Sequence, residues 1–230
     1  MMTLQQVAFD IETTGFAVDD EVTVVGFAVP LGLRVFVQTG GRPAGDIESA
    51  VAAVTPDDTL VNVSTHTSEQ GVLAGVSAFV ADRLAGEDML LVAFNGERWN
   101  GGFDLPFLRT RYAQCDVAWP FVDVPYADLM PIVADRFNTT IVNDDAAETQ
   151  DERNDLENAY AVLCDGAYGD VDPFESSAAA VTAFDDGRFA ELARHNVADV
   201  LRTQAVGRVA ERFCAKSEFQ VKSLTPTRES

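Results

Sequence analysis

Lysine is almost missing from this chain. Among its 230 residues only Lys216 and Lys222 are lysines, and 16 basic side chains stand against 37 acidic ones, a net charge of −21. The net basic charge expected of a nucleic-acid-binding protein is therefore absent. Cysteine is scarce too. Cys115, Cys164 and Cys214 are odd in number and show no CxxC spacing, which excludes a disulfide framework, a metal knuckle and a dithiol redox site, and fits reduced thiols in a cytosolic protein. Long apolar runs are missing: Met89 to Phe94 falls far short of the ~20 residues a membrane span needs. The N-terminus lacks a basic region followed by an apolar segment, so the expectation is a soluble, cytoplasmic protein with no membrane partner. There is neither a P-loop nor a dinucleotide fingerprint. The acidic group Asp165, Asp170 and Asp172 does not follow the alternation of an EF-hand loop and reads as solvated surface.

Apolar residues are present in quantity. At 47% of the chain, in clearly periodic segments, they argue against disorder despite the charge. A chain of this length forms one sizeable domain or two small ones and can bury roughly 70% of its unfolded surface. The lysine-poor, aspartate-rich composition resembles that of proteins from salt-loving archaea. At ~1 M salt the Debye length is only ~3 Å, which screens the repulsion between surface carboxylates. The counterion-release contribution to nucleic-acid binding also shrinks there, so the acidity says more about the solvent than about a partner.

The chain opens with three β-like runs, Gln6 to Glu12, Glu21 to Val29 and Leu33 to Val37, the last two joined as a hairpin by Pro30-Leu31-Gly32. A short helix follows over Asp46 to Val54, then a short strand over Thr59 to Ser64. Ser68 to Leu84 carries apolar residues at Val72, Val76, Phe79, Val80 and Leu84 with Ser68 placed to cap it, an amphipathic helix. The buried run Met89 to Phe94 reads as a strand, Phe103 to Tyr112 as a helix and Phe121 to Tyr126 as another extended piece, an alternation that suggests parallel crossovers. The polar stretch NTTIVNDDAAETQDERND, from Asn138 to Asp155, reads as a mobile or salt-solvated loop. Helices close the chain over Leu156 to Cys164, Ser176 to Phe184 and Arg188 to Phe213.

Three stretches carry chemistry. In VAFDIETTG, Asp10 and Glu12 are two residues apart in a strand, hence on one face and ~6.6 Å apart along it. Such a pair can flank metal ions, or it can simply mark a wet strand face. In FNGERWNGGFDLPFL, Asp104 sits where a glycine-rich loop becomes a helix, as a ligand or as an ordinary N-terminal cap. In HNVADV, His195 and Asp199 lie four apart on one helical face, as a site pair or as a surface pair that steadies the helix. His66, before a helix, reads as an ordinary surface histidine.

In order and context the three stretches resemble the motifs of the DEDD superfamily of 3′→5′ exonucleases, with the closest flavour that of the proofreading-type domains of family B DNA polymerases and their stand-alone archaeal and prokaryotic relatives. The resemblance runs from Val7 to about Phe213. It implies an α/β ribonuclease H-like fold over residues 1–215, with a mixed five-stranded sheet whose first three strands are antiparallel, flanked by helices, and a polar tail over 216–230. It implies Asp10, Glu12, Asp104 and Asp199 as ligands of two Mg²⁺ or Mn²⁺ ions, His195 as proton acceptor or water-orienting group, and Thr13, Thr14, Asn95 and Phe103 as substrate-binding residues. The implied activity is metal-dependent hydrolysis at the 3′ ends of single-stranded nucleic acid, DNA in the first instance, with a DNA polymerase or repair complex as partner in trans. RNA ends are the alternative substrate, and a catalytically inactive binding or assembly module on the same fold is the alternative function.

The sequence departs from the family at two points. Its H-x3-D spacing is that of the tyrosine subclass, with histidine in tyrosine's place, and one residue of displacement on a helix turns a side chain by ~100°. In the middle motif neither Asn95 nor Asn100 has the usual spacing to Phe103. Asn95, directly after a strand, is the better match, with Glu97 to Gly102 as a short insertion whose Trp99 either stacks on a base or packs as local core.

Overall fold

The computed structural model describes residues 4–86, 88–97, 103–142, 150–152, 155–164, 168, 170–174 and 177–227. Strand β1 (Gln5–Thr13) is central to it. Its period of two sends Val7, Phe9 and Ile11 to one face and Ala8 to the other, and each set joins a different apolar cluster. β1 pairs antiparallel with β2 (Val22–Val29), which pairs antiparallel with β3 (Gly32–Gln38). This is the expected antiparallel opening.

After helix α1 (Ile47–Ala52), strand β4 (Leu60–His66) adds parallel to the outer side of β3. Helix α2 (Glu69–Arg83) starts at Ser68, whose side chain accepts the Gly71 amide as the sequence suggested. The chain then crosses to β5 (Met89–Ala93), parallel to β1. Helix α3 (Asp104–Gln114) returns it to β6 (Pro125–Asp128), parallel to β5.

Helix α4 (Leu129–Arg136) was not foreseen, because Pro131 reads as a helix breaker. It sits within the first turn, where its missing N–H has no helical partner to lose, and Asp128 caps the helix by accepting the Met130 amide at 3.1 Å. The stretch expected to be a loop contains a two-stranded antiparallel ribbon, β7 (Thr140–Val142) with β8 (Gln150–Glu152). Helices α5 (Leu156–Leu163), α6 (Ser177–Asp185) and the 25-residue α7 (Phe189–Phe213) follow. In the polar C-terminal stretch, Lys216–Phe219 forms a 3-10 turn, β9 (Lys222–Ser223) pairs with β6, and Leu224 is buried.

The sheet thus has seven strands in the order β4-β3-β2-β1-β5-β6-β9 rather than five. Of its two edge strands, β4 answers to the short strand read over Thr59 to Ser64, whereas β9 is only two residues long and leaves no periodicity to read. On one face α1, α6 and α7 cover Ala8, Val24, Val35 and Val37. On the other, α2 and α3 cover Val7, Phe9, Val25, Phe27 and Phe36. Helix α7 lies across β1 and β2, which brings its HNVADV segment over the face of β1 that carries Asp10 and Glu12.

Candidate active site

Asp10 and Glu12 follow Ala8 on the side of β1 that faces α7. The fully buried Asn196 of α7 donates from Nδ2 to Asp10 Oδ2 at 2.9 Å. A glycine permits this approach: Gly26 of β2 pairs opposite Asp10, and a Cβ at that position would lie 1.9 Å from Asn196 Oδ1. One turn of α7 from His195, Asp199 turns Oδ2 toward the ring, 4.0 Å from His195 Nε2, while its Oδ1 accepts from Arg202 Nη1 at 2.8 Å. Ligand atoms of Glu12, His195 and Asp199 all lie within 4.8 Å of one another.

Asp104 reaches the same place from the carboxyl end of β5. The Phe103 amide donates to Asn95 O at 3.1 Å and the Leu105 amide to Gly96 O at 2.8 Å, so the two ends of the intervening loop are tied together. Asp104 is the first residue of α3 rather than its cap, and among the described residues no side-chain hydrogen bond caps that helix. Asp104 is buried.

The electrostatics reflect this crowding. Burial foremost, then the charges of Asp104, Glu12 and Asp199, push Asp10 well above the carboxylate range against the Asn196 hydrogen bond. Burial, Glu12, Asp128 and Asp199 do the same to Asp104. Burial, with help from Asp199, lifts Glu12 to about 8, although the His195 ring and the Asn196 amide pull it down. Asp199 is also raised by burial, against the pull of His195 and Arg202. Four acids whose charges act on one another in this way need protons or a cation between them.

His195 is held from behind. Its Nδ1 is 2.8 Å from Asp172 Oδ1, and Asp172 Oδ2 accepts from Arg202 Nη1 at 3.1 Å. Burial opposes a charge on His195, but Asp172, Glu12 and Asp199 together outweigh it and push the imidazole up to about 9. Asp172 was expected on the solvated surface; its side chain is 8% exposed, because the ring and the guanidinium close over it. Asp170 is exposed as expected, and Asp165 lies outside the described residues.

Of the substrate-binding candidates, Thr13 and Thr14 shape the loop after β1. Thr13 Oγ1 donates to Gly15 O at 2.7 Å, and Thr14 Oγ1 donates to Asp20 Oδ1 at 2.9 Å and accepts the Glu21 amide at 3.0 Å. Beyond them Phe16, 68% exposed, meets the Phe103 ring edge-on at 5.0 Å. Asn95 has φ +63°, a left-handed conformation that asparagine tolerates, and its amide donates to Asp128 Oδ1 at 2.9 Å. Trp99 and Asn100 lie outside the described residues. His66 is half-buried and stacked on Phe36 rather than on the surface.

Asn196, Asp172, Arg202 and Asp128 belong to the site and were not identified from the sequence. Asn196 lay inside the quoted HNVADV, next to the residue that drew notice. Asp172 had no local signal, since the helix that gives it meaning begins seventeen residues later.

No protein-family model matches the sequence, and no curated protein matches it. Among solved structures, the chain is similar to E. coli Exonuclease I, crystallised in complex with a dT13 oligonucleotide, with a TM-score of 0.52 at 15% sequence identity. The match covers 91% of this chain and 41% of the Exonuclease I chain, so the chain spans well under half the length of that protein. The likeness is one of fold, and the fold is ribonuclease H-like. Among the described residues no helix is long and apolar enough to cross a membrane.

Proposed function

We propose that the protein is a metal-dependent 3′→5′ exonuclease that removes nucleotides from the ends of single-stranded DNA, with residues 1–215 as its exonuclease domain. The observation that carries this reading is the convergence of Asp10, Glu12, Asp104 and Asp199, drawn from a strand and two helices, within a fold shared with a nuclease seen bound to single-stranded DNA. By the resemblance of its motifs we read it as nearest the proofreading type.

The residues fit divalent cations. Carboxylate oxygens suit hard ions such as Mg²⁺ and Mn²⁺, and the mutual repulsion that raises all four acids is what bound cations would relieve. Asp10, Glu12, Asp104 and Asp199 would hold them, and two such ions supply activation of a water and charge neutralisation at the phosphodiester. The chain does the rest. Asn196 orients the Asp10 carboxylate, Arg202 orients that of Asp199, and Asp172 fixes the His195 ring beside them. Phe16 and Phe103 present an exposed aromatic edge next to Asp104 on which a base can stack.

Incubation with Mg²⁺ or Mn²⁺ in concentrated salt and a 5′-labelled oligonucleotide should give a ladder of shortened products that Asp10→Ala abolishes. Absence of shortening, or full activity in that variant, overturns the reading. Matched DNA and RNA oligomers in the same assay decide the substrate, with DNA expected to be degraded faster.

One observation favours a second reading, a non-catalytic binding module. The Arg202 guanidinium already occupies Asp199 Oδ1 at 2.8 Å, so an arginine supplies part of the positive charge a cation would bring. Metal titration separates the two, since a module of that kind would show no cation-linked thermal stabilisation.

A further inference from the structure

We infer that His195 is a metal ligand, completing with Glu12 and Asp199 a mixed nitrogen and oxygen site that prefers Mn²⁺, or a similar first-row transition ion, to Mg²⁺. The inference rests on the metal-dependent reading above and gives His195 a different role from the proton acceptor implied by the sequence motifs.

Three observations converge on it. The first is tautomeric. Asp172 faces both His195 Nδ1 at 2.8 Å and Arg202 Nη1 at 3.1 Å. A carboxylate held by a guanidinium is an acceptor, so Nδ1 carries the hydrogen and, in the neutral ring, Nε2 carries the lone pair. A histidine whose far nitrogen donates to a carboxylate is the usual arrangement of a metal-bound imidazole. The second is position. The His195 side chain is 7% exposed, and its Nε2, without a hydrogen-bond partner among the described residues, faces the Glu12 and Asp199 carboxylates. Donor atoms around one cation with bonds of ~2.2 Å stand ~3–4.4 Å apart, and the Nε2 to Asp199 Oδ2 separation of 4.0 Å falls in that range. The third is spacing. The H-x3-D spacing puts His195 and Asp199 at i and i+4, stacked on one helical face, as in helical motifs that present two ligands to one metal.

An imidazole nitrogen in the donor set favours first-row transition ions, whereas Mg²⁺ prefers oxygen alone. Asp172 then acts as a positioning residue that fixes the direction of Nε2.

The test is pulsed electron paramagnetic resonance of Mn²⁺ bound to the whole protein. Spin-echo modulation from a directly bound ¹⁴N is expected, and incorporation of [¹⁵N]histidine should replace it. The chain has only two histidines, so His66→Gln should keep the signal and His195→Gln should lose it. His195→Gln should also weaken Mn²⁺ about tenfold or more while Mg²⁺ affinity changes little, which lowers the Mn²⁺/Mg²⁺ preference. Asp172→Asn should keep the nitrogen signal but weaken Mn²⁺ about tenfold, and Asp172→Glu should restore part of it. If His195→Gln does not fold, the isotope exchange in the unaltered sequence decides alone. Bound Mn²⁺ with no nitrogen modulation overturns the inference. DNA shortening without that modulation sinks the inference and leaves the exonuclease reading standing, and the modulation without DNA shortening does the reverse.

Discussion

Asn196 on the last long helix and Asp10 on the first strand are 186 positions apart in sequence, yet the asparagine amide donates to the aspartate carboxylate at 2.9 Å. The bond locks α7 onto β1 at the point where the acids meet. Asn196→Ala should therefore weaken divalent-cation binding about 10–100-fold, the usual effect of losing a partner that orients a metal ligand. Isothermal titration with Mn²⁺ checks this, and unchanged affinity would separate the bond from the site.

Gly26 makes room for that bond. Gly26→Ala pushes a methyl group into Asn196 Oδ1, where a Cβ would stand at 1.9 Å, with a backbone that any residue can adopt. The overpacking should cost about 1–3 kcal/mol of stability, read by denaturant unfolding, and should lower Mn²⁺ affinity along with it. A stability loss with intact metal binding would show that α7 can shift without releasing Asp10.

The metal-free protein should lose stability as pH rises from about 5 to 9. Asp10, Glu12, Asp104 and Asp199 all titrate higher in the folded chain than in the unfolded one, so the stability they contribute is full below about pH 4. That contribution fades as pH rises through their folded values, about 8 for Glu12. His195, raised to about 9, contributes stability below its unfolded pKa of about 6.5 that is lost as pH passes 9. Asp172 is lowered instead, and its contribution disappears only in more acidic solution. Calorimetry in a chelator at high salt should show Tm falling across this window. Saturating Mn²⁺ should flatten the decline, because the cation takes the place of the protons. A Tm that rises from pH 5 to 9 without metal contradicts the arrangement.

Away from the acids, Arg111 of α3 grips Glu69 of α2 through Nε and Nη2, both at 2.7 Å, and reaches Val18 O in the loop after β1 at 3.0 Å. Glu69 also accepts the Val22 amide at 2.8 Å, and both side chains are at least nine-tenths buried. Arg111→Met leaves the carboxylate buried without its cation and should cost about 3–5 kcal/mol. The double variant with Glu69→Leu should recover part of it in urea unfolding. Equal losses in the single and double variants would mean that the cost comes from packing rather than from the stranded charge.

With a net charge of −21 and two lysines, the folded chain should gain stability as KCl rises from ~0.1 M, where the Debye length is ~10 Å, to ~1 M, where it is ~3 Å. A thermal scan across that series checks this, and a Tm indifferent to salt would show that the carboxylates are too well spaced to repel.

Much of the architecture could be read locally. Alternation in VAFDIETTG put Asp10 and Glu12 on one face of a strand, and the sheet accordingly places Val7, Phe9 and Ile11 in one core and Ala8 in the other. Helix α7 and the Ser68 cap were equally plain, because strand and helix periods and capping chemistry act over a few residues. Helix α4 was hidden by Pro131, whose meaning depends on which turn of a helix it occupies. β9 is two residues long and exists only because β6 offers it an edge.

For the site, Asp10, Glu12, Asp104, His195 and Asp199 were nominated by the resemblance of their three stretches, in order and context, to the exonuclease motifs, since each stretch alone also reads as a wet strand face, a helix cap or a surface pair. Whether those groups face one another is a property of α7 crossing β1, and that crossing is set by the packing of Val197, Val200 and Leu201 on the sheet. The roles of Asn196, Asp172 and Arg202 likewise came from the fold alone. Hydrogen bonds between side chains distant in sequence leave no periodic trace, so the chain spelled out its acids and only the tertiary structure decided what holds them.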